Sequence, residues 1–399
     1  MSKSAAPELS RRALAIEVSS TVAMAQRAAA LRASGTPVLD FSVGEPDQPT
    51  PEHIKAAAVA ALGADRTRYT PAAGIPELRA AVAMRYREDF GVSYTPAEVA
   101  ITLGGKQALY LACQALLDRG DEVVIPNPHW PTFSEAVRLA GGKPVAVETR
   151  AKDGFRVTAK LVAKAVGRHT RAVLVNSPSN PTGAVVEPRE LLAIAKLAKR
   201  RRFALLYDDT YARMIFGDGP GPDLQAAREA SGNRLVILGT ASKSFCMTGW
   251  RIGWILGPKP LVDAAAALVS HSTQCPTSFA QVGAVTALTG PQGFVGELTR
   301  EYRVRRDTLH AALAAIPGVA CALPEGAFYL FPDVRAYLSR RIKDSVQLAS
   351  ALLDEAHVAV VPGEAFAGPG HVRISFARPL AELQDGARRI ASFLAQRGD

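Results

Sequence analysis

The chain has 399 residues, 48% hydrophobic and 21% charged, with a formal net charge of +10. That composition fits a globular protein with a substantial core and suggests two domains, excluding a low-complexity or disordered chain. Cys113, Cys246, Cys275 and Cys321 are scattered, with no CxxC pair and no histidine at ligand spacing, so neither a disulfide framework nor a zinc site is expected and a reducing, cytoplasmic setting fits best.

The N-terminal stretch MSKSAAPELSRRALAIEVSS lacks the long apolar region of a secretory signal, and no run is apolar and long enough to span a membrane, so neither export nor insertion is expected. Next, TVAMAQRAAALRASG reads as a helix, and PVLDFSVGEPDQPTP follows it. From about residue 98 to 258, β-branched runs (EVAITL, DEVVIP, KPVAVE, RAVLVN, FALLYD, RLVILG, RIGWIL) alternate mostly with amphipathic stretches such as KQALYLACQALLDRG. Alternation of this kind predicts an α/β fold with a mostly parallel sheet covered on both faces. In such sheets ligands bind beyond the carboxyl ends of the strands, so polar residues just after each apolar run are where chemistry belongs.

The basic run Lys199, Arg200, Arg201, Arg202 closes a helical stretch, where cations complement the negative helix end, and no aromatic residues interleave it. No nucleic-acid partner is therefore expected. After about residue 293 a long charged helix (ELTREYRVRRDTLHAALAAI) is followed by CALPEGAFYLFP, a helix near 345–356, a strand pair (HVAVVPG, HVRISFA) and a closing helix. This predicts a smaller α+β domain built from 1–48 and 296–399, beside a large domain spanning 49–295.

The segment TASKSFCMTGWRIGW directly follows the run RLVILG and supplies Thr240, Ser242, Lys243 and Arg251: an anion site with an amine inside it. A lysine in such a loop is usually just solvated; its company is what makes it a candidate. FALLYDD ends in Asp208 and Asp209 with Tyr211 close behind, and RAVLVN leads to SPSNPTG, whose turn carries Asn180. An amine for an aldehyde, a carboxylate for a pyridine nitrogen and donors for a phenolate oxygen are the set that pyridoxal 5'-phosphate (PLP) chemistry requires. ITLGGKQALYLACQ adds a strand, two glycines and a helix start, a cradle for phosphate that Arg251 can grip bidentately. Arg373, in HVRISFA, projects from a small-domain strand, where an unpaired guanidinium is costly unless a carboxylate meets it; a structural ion pair is the alternative.

In this order these residues resemble the class I/II aminotransferases, the fold type I PLP enzymes, and among them the bacterial aspartate and prephenate aminotransferases. The matching segments are FSVGEPDQPTPEHI, RYTPAAGIPELR, SPSNPTG, YDDTY, SKSFCMTGWRIG and HVRISFA, which cover nearly the whole chain. The resemblance implies that Lys243 carries PLP as a Schiff base, Asp208 pairs with the pyridine nitrogen, Asn180 and Tyr211 bind the phenolic oxygen and Trp130 stacks on the ring. It further implies that Gly105, Lys106, Thr240, Ser242 and Arg251 hold the phosphate, with Tyr69 supplied by the neighbouring subunit of a homodimer. Gly44, Trp130, Asn180 and Arg373 are then the contacts for substrate. The implied reaction moves an amino group between an amino acid and a 2-oxo acid in ping-pong fashion, with Lys243, its pKa lowered by burial and nearby cations, shuttling the proton.

Lys106 and Thr21 sit in contexts that contact the distal carboxylate of a dicarboxylate substrate in those relatives, which points to aspartate or glutamate; an N-cap role is the alternative for Thr21. Three departures bear on the substrate: Tyr207 is bulky beside Asp208, Asp209 stands where glutamate is commoner, and HSTQCPTSFAQ offers no arginine for a side-chain carboxylate. His129 and His271 are further residues within possible reach of the site. A lyase, cyclase or oxidase on the same fold shares this apparatus, and a PLP-sensing regulatory module is the non-catalytic alternative. A generic nucleotide-binding reading lacks both GxGxxG and GxxxxGK[ST].

Overall fold

A computed structural model describes residues 7–14, 16, 20–217 and 221–397. The seven apolar runs all form strands of one sheet, ordered in space Val99–Thr102, Gly253–Leu256, Leu235–Thr240, Ala204–Asp208, Thr170–Asn176, Glu122–Asn127, Lys143–Glu148. Only Gly253–Leu256 runs antiparallel to its neighbours. This is the α/β architecture expected from the alternation. Its inner strands are buried on both faces, which is why they read as continuous apolar runs. One face packs on helices Pro76–Phe90, Pro188–Arg201 and Ser278–Thr289, the other on Gly105–Leu116 and Lys259–Ser272.

A separate core gathers Phe328, Tyr329, Val358, Val372, Leu383 and Phe393 from the C-terminal part with Met24, Ala28, Val38 and Phe41 from the N-terminal part. Leu39–Asp40 pairs in parallel with Val358–Ala359, so two distant stretches of chain share one small sheet. Beside it, Val372–Ser375 pairs antiparallel with Tyr329–Leu330 and Val361–Pro362. The long helix Gly293–Ala314 contributes to this core through Leu298, Tyr302, Leu309 and Leu313. Arg305, on the same helix, holds Asp47 at 2.8 Å and so ties the N-terminal segment down.

Among the described residues no helix is long and apolar enough to cross a membrane, and no cluster of His, Cys, Asp and Glu has metal-ligand geometry. Pro188–Arg201 ends on Lys199, Arg200 and Arg201, with Arg202 in the left-handed conformation, where the cations oppose the helix dipole.

Candidate active site

Strand register brings the polar residues together. Asn176 and Asp208 are partners at the ends of neighbouring parallel strands, and Thr240 faces Gly253 across the antiparallel pair. Around these ends lies a cavity of about 560 Å³. It is lined by Gly44, Gly105, Lys106, Trp130, Asn180, Asp208, Tyr211, Thr240, Ser242, Lys243, Arg251 and Arg373. Residues from far along the chain thus meet in one place.

Lys243 lies just past the strand Leu235–Thr240, and its Nζ donates to the Gly44 carbonyl at 2.7 Å. Burial pushes its pKa down to about 8; Arg251 and Arg373 push the same way, and Glu45 opposes them. Asp208 is buried, accepting from Asn176 Nδ2 and the Thr210 amide, each at 3.1 Å. Neither donor is a cation, and burial raises this carboxyl to about 6 despite both bonds. Such a group is stabilised as an anion by a positive charge brought to it.

The phosphate-sized corner is built on close backbone approach. Gly104 has φ +83°, and a Cβ there would run into the Arg251 guanidinium. A Cβ on Gly253 would strike the Gly104 and Gly105 backbone. Only glycines let the strand, the helix start and the arginine come this near. The amides of Gly105 and Lys106 open the helix Gly105–Leu116, so they lack intrahelical acceptors, and the N-cap Gly104 offers no side chain to take them. Thr240 and Ser242 hydroxyls pair at 2.8 Å, while Arg251 donates to the carbonyls of Thr248 and Leu103.

Arg373 is 3% exposed. It donates to Asn180 Oδ1 at 3.2 Å and to the Ser42 carbonyl at 2.5 Å, while its Nε has no partner among the described residues. The alternative of a structural ion pair is not what the geometry shows: both acceptors are neutral. Tyr211 pairs hydroxyl to hydroxyl with Tyr329 at 2.7 Å, and burial raises its pKa. Lys106 sits at the rim with Nζ 5.1 Å from the Trp130 ring centre. Its pKa is lowered, by burial first and Arg251 second.

Other expectations fall outside the cavity. Tyr69 is 83% exposed and does not reach the cavity of its own chain. Thr21 lies in the helix Ser20–Ala33, but its side chain is outside the described residues; Val22, Ala25, Gln26 and Ala29 of that helix do border the cavity. Tyr207 points into the core on the opposite strand face from Asp208, so its bulk does not bear on substrate choice. Asp209 turns the same way and accepts from Tyr86. His129 is locked between Asn127 and Ser134, both at 2.7 Å, and His271 is exposed on the helix Lys259–Ser272. Both histidines are structural or solvated rather than part of the cavity. Missed by the sequence reading were Asn176, which the strand-end rule could have flagged, and Tyr329, inside an apolar stretch with no such signal.

The family model for aminotransferase class I and II matches residues 36–390. The chain belongs to that family. An aspartate aminotransferase of Streptomyces avermitilis is 41% identical, over 98% of this chain and 97% of its own. The aspartate/prephenate aminotransferase of Thermus thermophilus is 44% identical, over 97% of this chain and 99% of its own. A solved structure of aspartate aminotransferase from Thermus thermophilus with maleate superposes with a TM-score of 0.93 at 41% identity, covering 97% of this chain and 100% of that one. The chain is thus an aminotransferase, and the fold type expected from its motifs is the one it shares with that solved enzyme.

Proposed function

We propose that this aminotransferase holds PLP in the cavity and moves an amino group between a dicarboxylic amino acid and a 2-oxo acid, as a homodimer of the cytoplasm. The observation that carries the reading is the meeting of Lys243, at a pKa near 8, with Asp208, a buried carboxyl that has no cationic partner among the described residues. The donor set fits the cofactor: a cradle that no Cβ could share, two open amides, paired hydroxyls and Arg251 for a phosphate, and Asp208 for a pyridinium nitrogen. When bound, PLP supplies an electron sink for the bond-breaking at the substrate α-carbon.

The chain's own residues do the rest. Asp208 would keep a positive charge on a pyridine nitrogen, and Asn176 and the Thr210 amide fix the carboxylate for that task. Arg373 and Asn180, with the Gly44 backbone, anchor the α-carboxylate and orient the substrate. Lys243, once its amine is free, takes and returns the α-proton; its depressed pKa gives it a neutral fraction that an ordinary lysine lacks at neutral pH. Lys106, at the rim beside Trp130, meets a distal carboxylate, and the aspartate aminotransferase and the aspartate/prephenate aminotransferase named above support that choice. Tyr69, projecting outward, completes the phosphate site of a second copy. The four cysteines, all free, support a reducing compartment.

The test is a half-reaction followed by absorbance, with the PLP-loaded protein mixed in turn with aspartate, glutamate, aromatic amino acids and arogenate. Fastest conversion with acidic donors supports the proposal. Bound PLP that no donor converts points instead to lyase, cyclase or oxidase chemistry, and a Lys243→Ala variant that still transaminates would overturn the site assignment.

A further inference from the structure

Tyr329 touches three parts of the site that the mechanism uses separately. It lies on the strand Tyr329–Leu330 and is 1% exposed. Its hydroxyl meets that of Tyr211 at 2.7 Å. Its ring lies under the guanidinium of Arg373, whose Cζ is 4.4 Å from the ring centre. A side chain at Gly44 would strike its hydroxyl, and the Gly44 carbonyl is the acceptor for Lys243 at 2.7 Å. The charged groups facing the two phenols are Arg373 and Asp208.

We infer that Tyr329 is a positioning residue that couples the carboxylate anchor to the cofactor clamp: its hydroxyl aims Tyr211, and its ring seats Arg373. The inference rests on the PLP reading above. When Tyr211 donates to the cofactor's phenolic oxygen, its own oxygen is free to accept, and Tyr329 is the donor behind it. A donor behind a donor polarises the outer bond and strengthens it. Without that partner nothing behind the Tyr211 hydroxyl polarises it, and its donation weakens.

The ring does a different job. Arg373 has neutral acceptors on both Nη atoms and none on Nε, so packing must hold it in place. The faces of Tyr329 and Phe366, with centroids 4.4 and 4.9 Å from Cζ, stabilise a cation without consuming its N–H groups. Those groups stay available for a substrate carboxylate. A tyrosine serving only as core, as its membership of the small-domain cluster allows, would do neither job.

Two variants separate the jobs. The PLP-loaded wild type, Tyr329→Phe and Tyr329→Leu are compared by the pH midpoint of the cofactor's visible band and by the Kd for maleate, a dicarboxylate with no amine to react. Tyr329→Phe should raise the midpoint by roughly half to one pH unit, since a weaker donor to the phenolic oxygen lets the chromophore hold its proton longer, and should leave maleate binding within about threefold. Tyr329→Leu should show the same rise and bind maleate roughly 5- to 30-fold more weakly. An unmoved midpoint in Tyr329→Phe, or equal maleate affinity in the two variants, overturns the coupling. If Tyr329→Leu fails to fold, Tyr329→Phe alone decides: a shifted midpoint with unchanged maleate affinity upholds the inference, and any other pairing ends it. A wild type with no visible band and no maleate binding would refute the PLP reading itself, and this inference with it.

Discussion

Replacing Arg373 by methionine removes the guanidinium while keeping an unbranched side chain in the same buried space. In the native protein two Nη bonds go to Asn180 Oδ1 and the Ser42 carbonyl, and the remaining N–H groups, Nε among them, are unspent. A guanidinium with at least two donors to spare takes a carboxylate bidentately. Each charge-assisted bond is worth ~1.5–3 kcal/mol, so loss of the pair predicts a fall in kcat/KM of ~10²–10⁴-fold for any α-amino acid. The assay compares aspartate with an alkylamine lacking an α-carboxylate, each converting the loaded cofactor in single turnover. The amine, which never met Arg373, should lose no more than about threefold, because only anchoring is removed. A fall of less than about tenfold for aspartate, or an equal fall for both substrates, would refute the assignment of Arg373 as the carboxylate anchor.

Further outcomes follow from the same geometry. Gly104→Ala forces a side chain into a φ +83° position and against Arg251, so PLP should dissociate about 10- to 100-fold more readily, measured by dialysis and fluorescence, with the protein still folded. Asp209 ionises near pH 8 in the folded chain, because burial raises it, against about 4 when unfolded. Between those values the native state holds a proton that the unfolded state has lost, so stability falls as pH rises, by up to ~1.4 kcal/mol per unit. Asp209→Asn should flatten that slope in urea titrations at pH 5 to 8; an identical slope would show that Asp209 does not carry it. Finally, co-expressed Tyr69→Phe and Lys243→Ala chains should recover activity that neither homodimer has in full, since each hybrid contains one site with both residues intact. Hybrids no more active than the mixed homodimers would rule out a shared site.

Much of this protein was legible as sequence because its signals are local. The seven strands declared themselves as apolar β-branched runs, and the rule that ligands sit beyond strand carboxyl ends points to Asp208, Asn180, Thr240 and Lys243, which line the cavity. The GG pair ahead of a helix likewise announced an anion cradle, since positive φ and close approach are properties of glycine itself. Tertiary structure decided what depends on distant chain meeting distant chain. Alternation places Asp208 and Asp209 on opposite faces, but only the packed sheet gives one to the cavity and the other to Tyr86. Nothing in GAFYLFP marks Tyr329 as more than core, because its meaning comes from partners at Tyr211, Arg373 and Gly44 that no local pattern can bring together. The lowered pKa of Lys243 has the same origin: an amine in a sequence is solvated by default, and burial against Gly44, Arg251 and Arg373 exists only once the N-terminal segment, the large sheet and the small sheet close on one cavity.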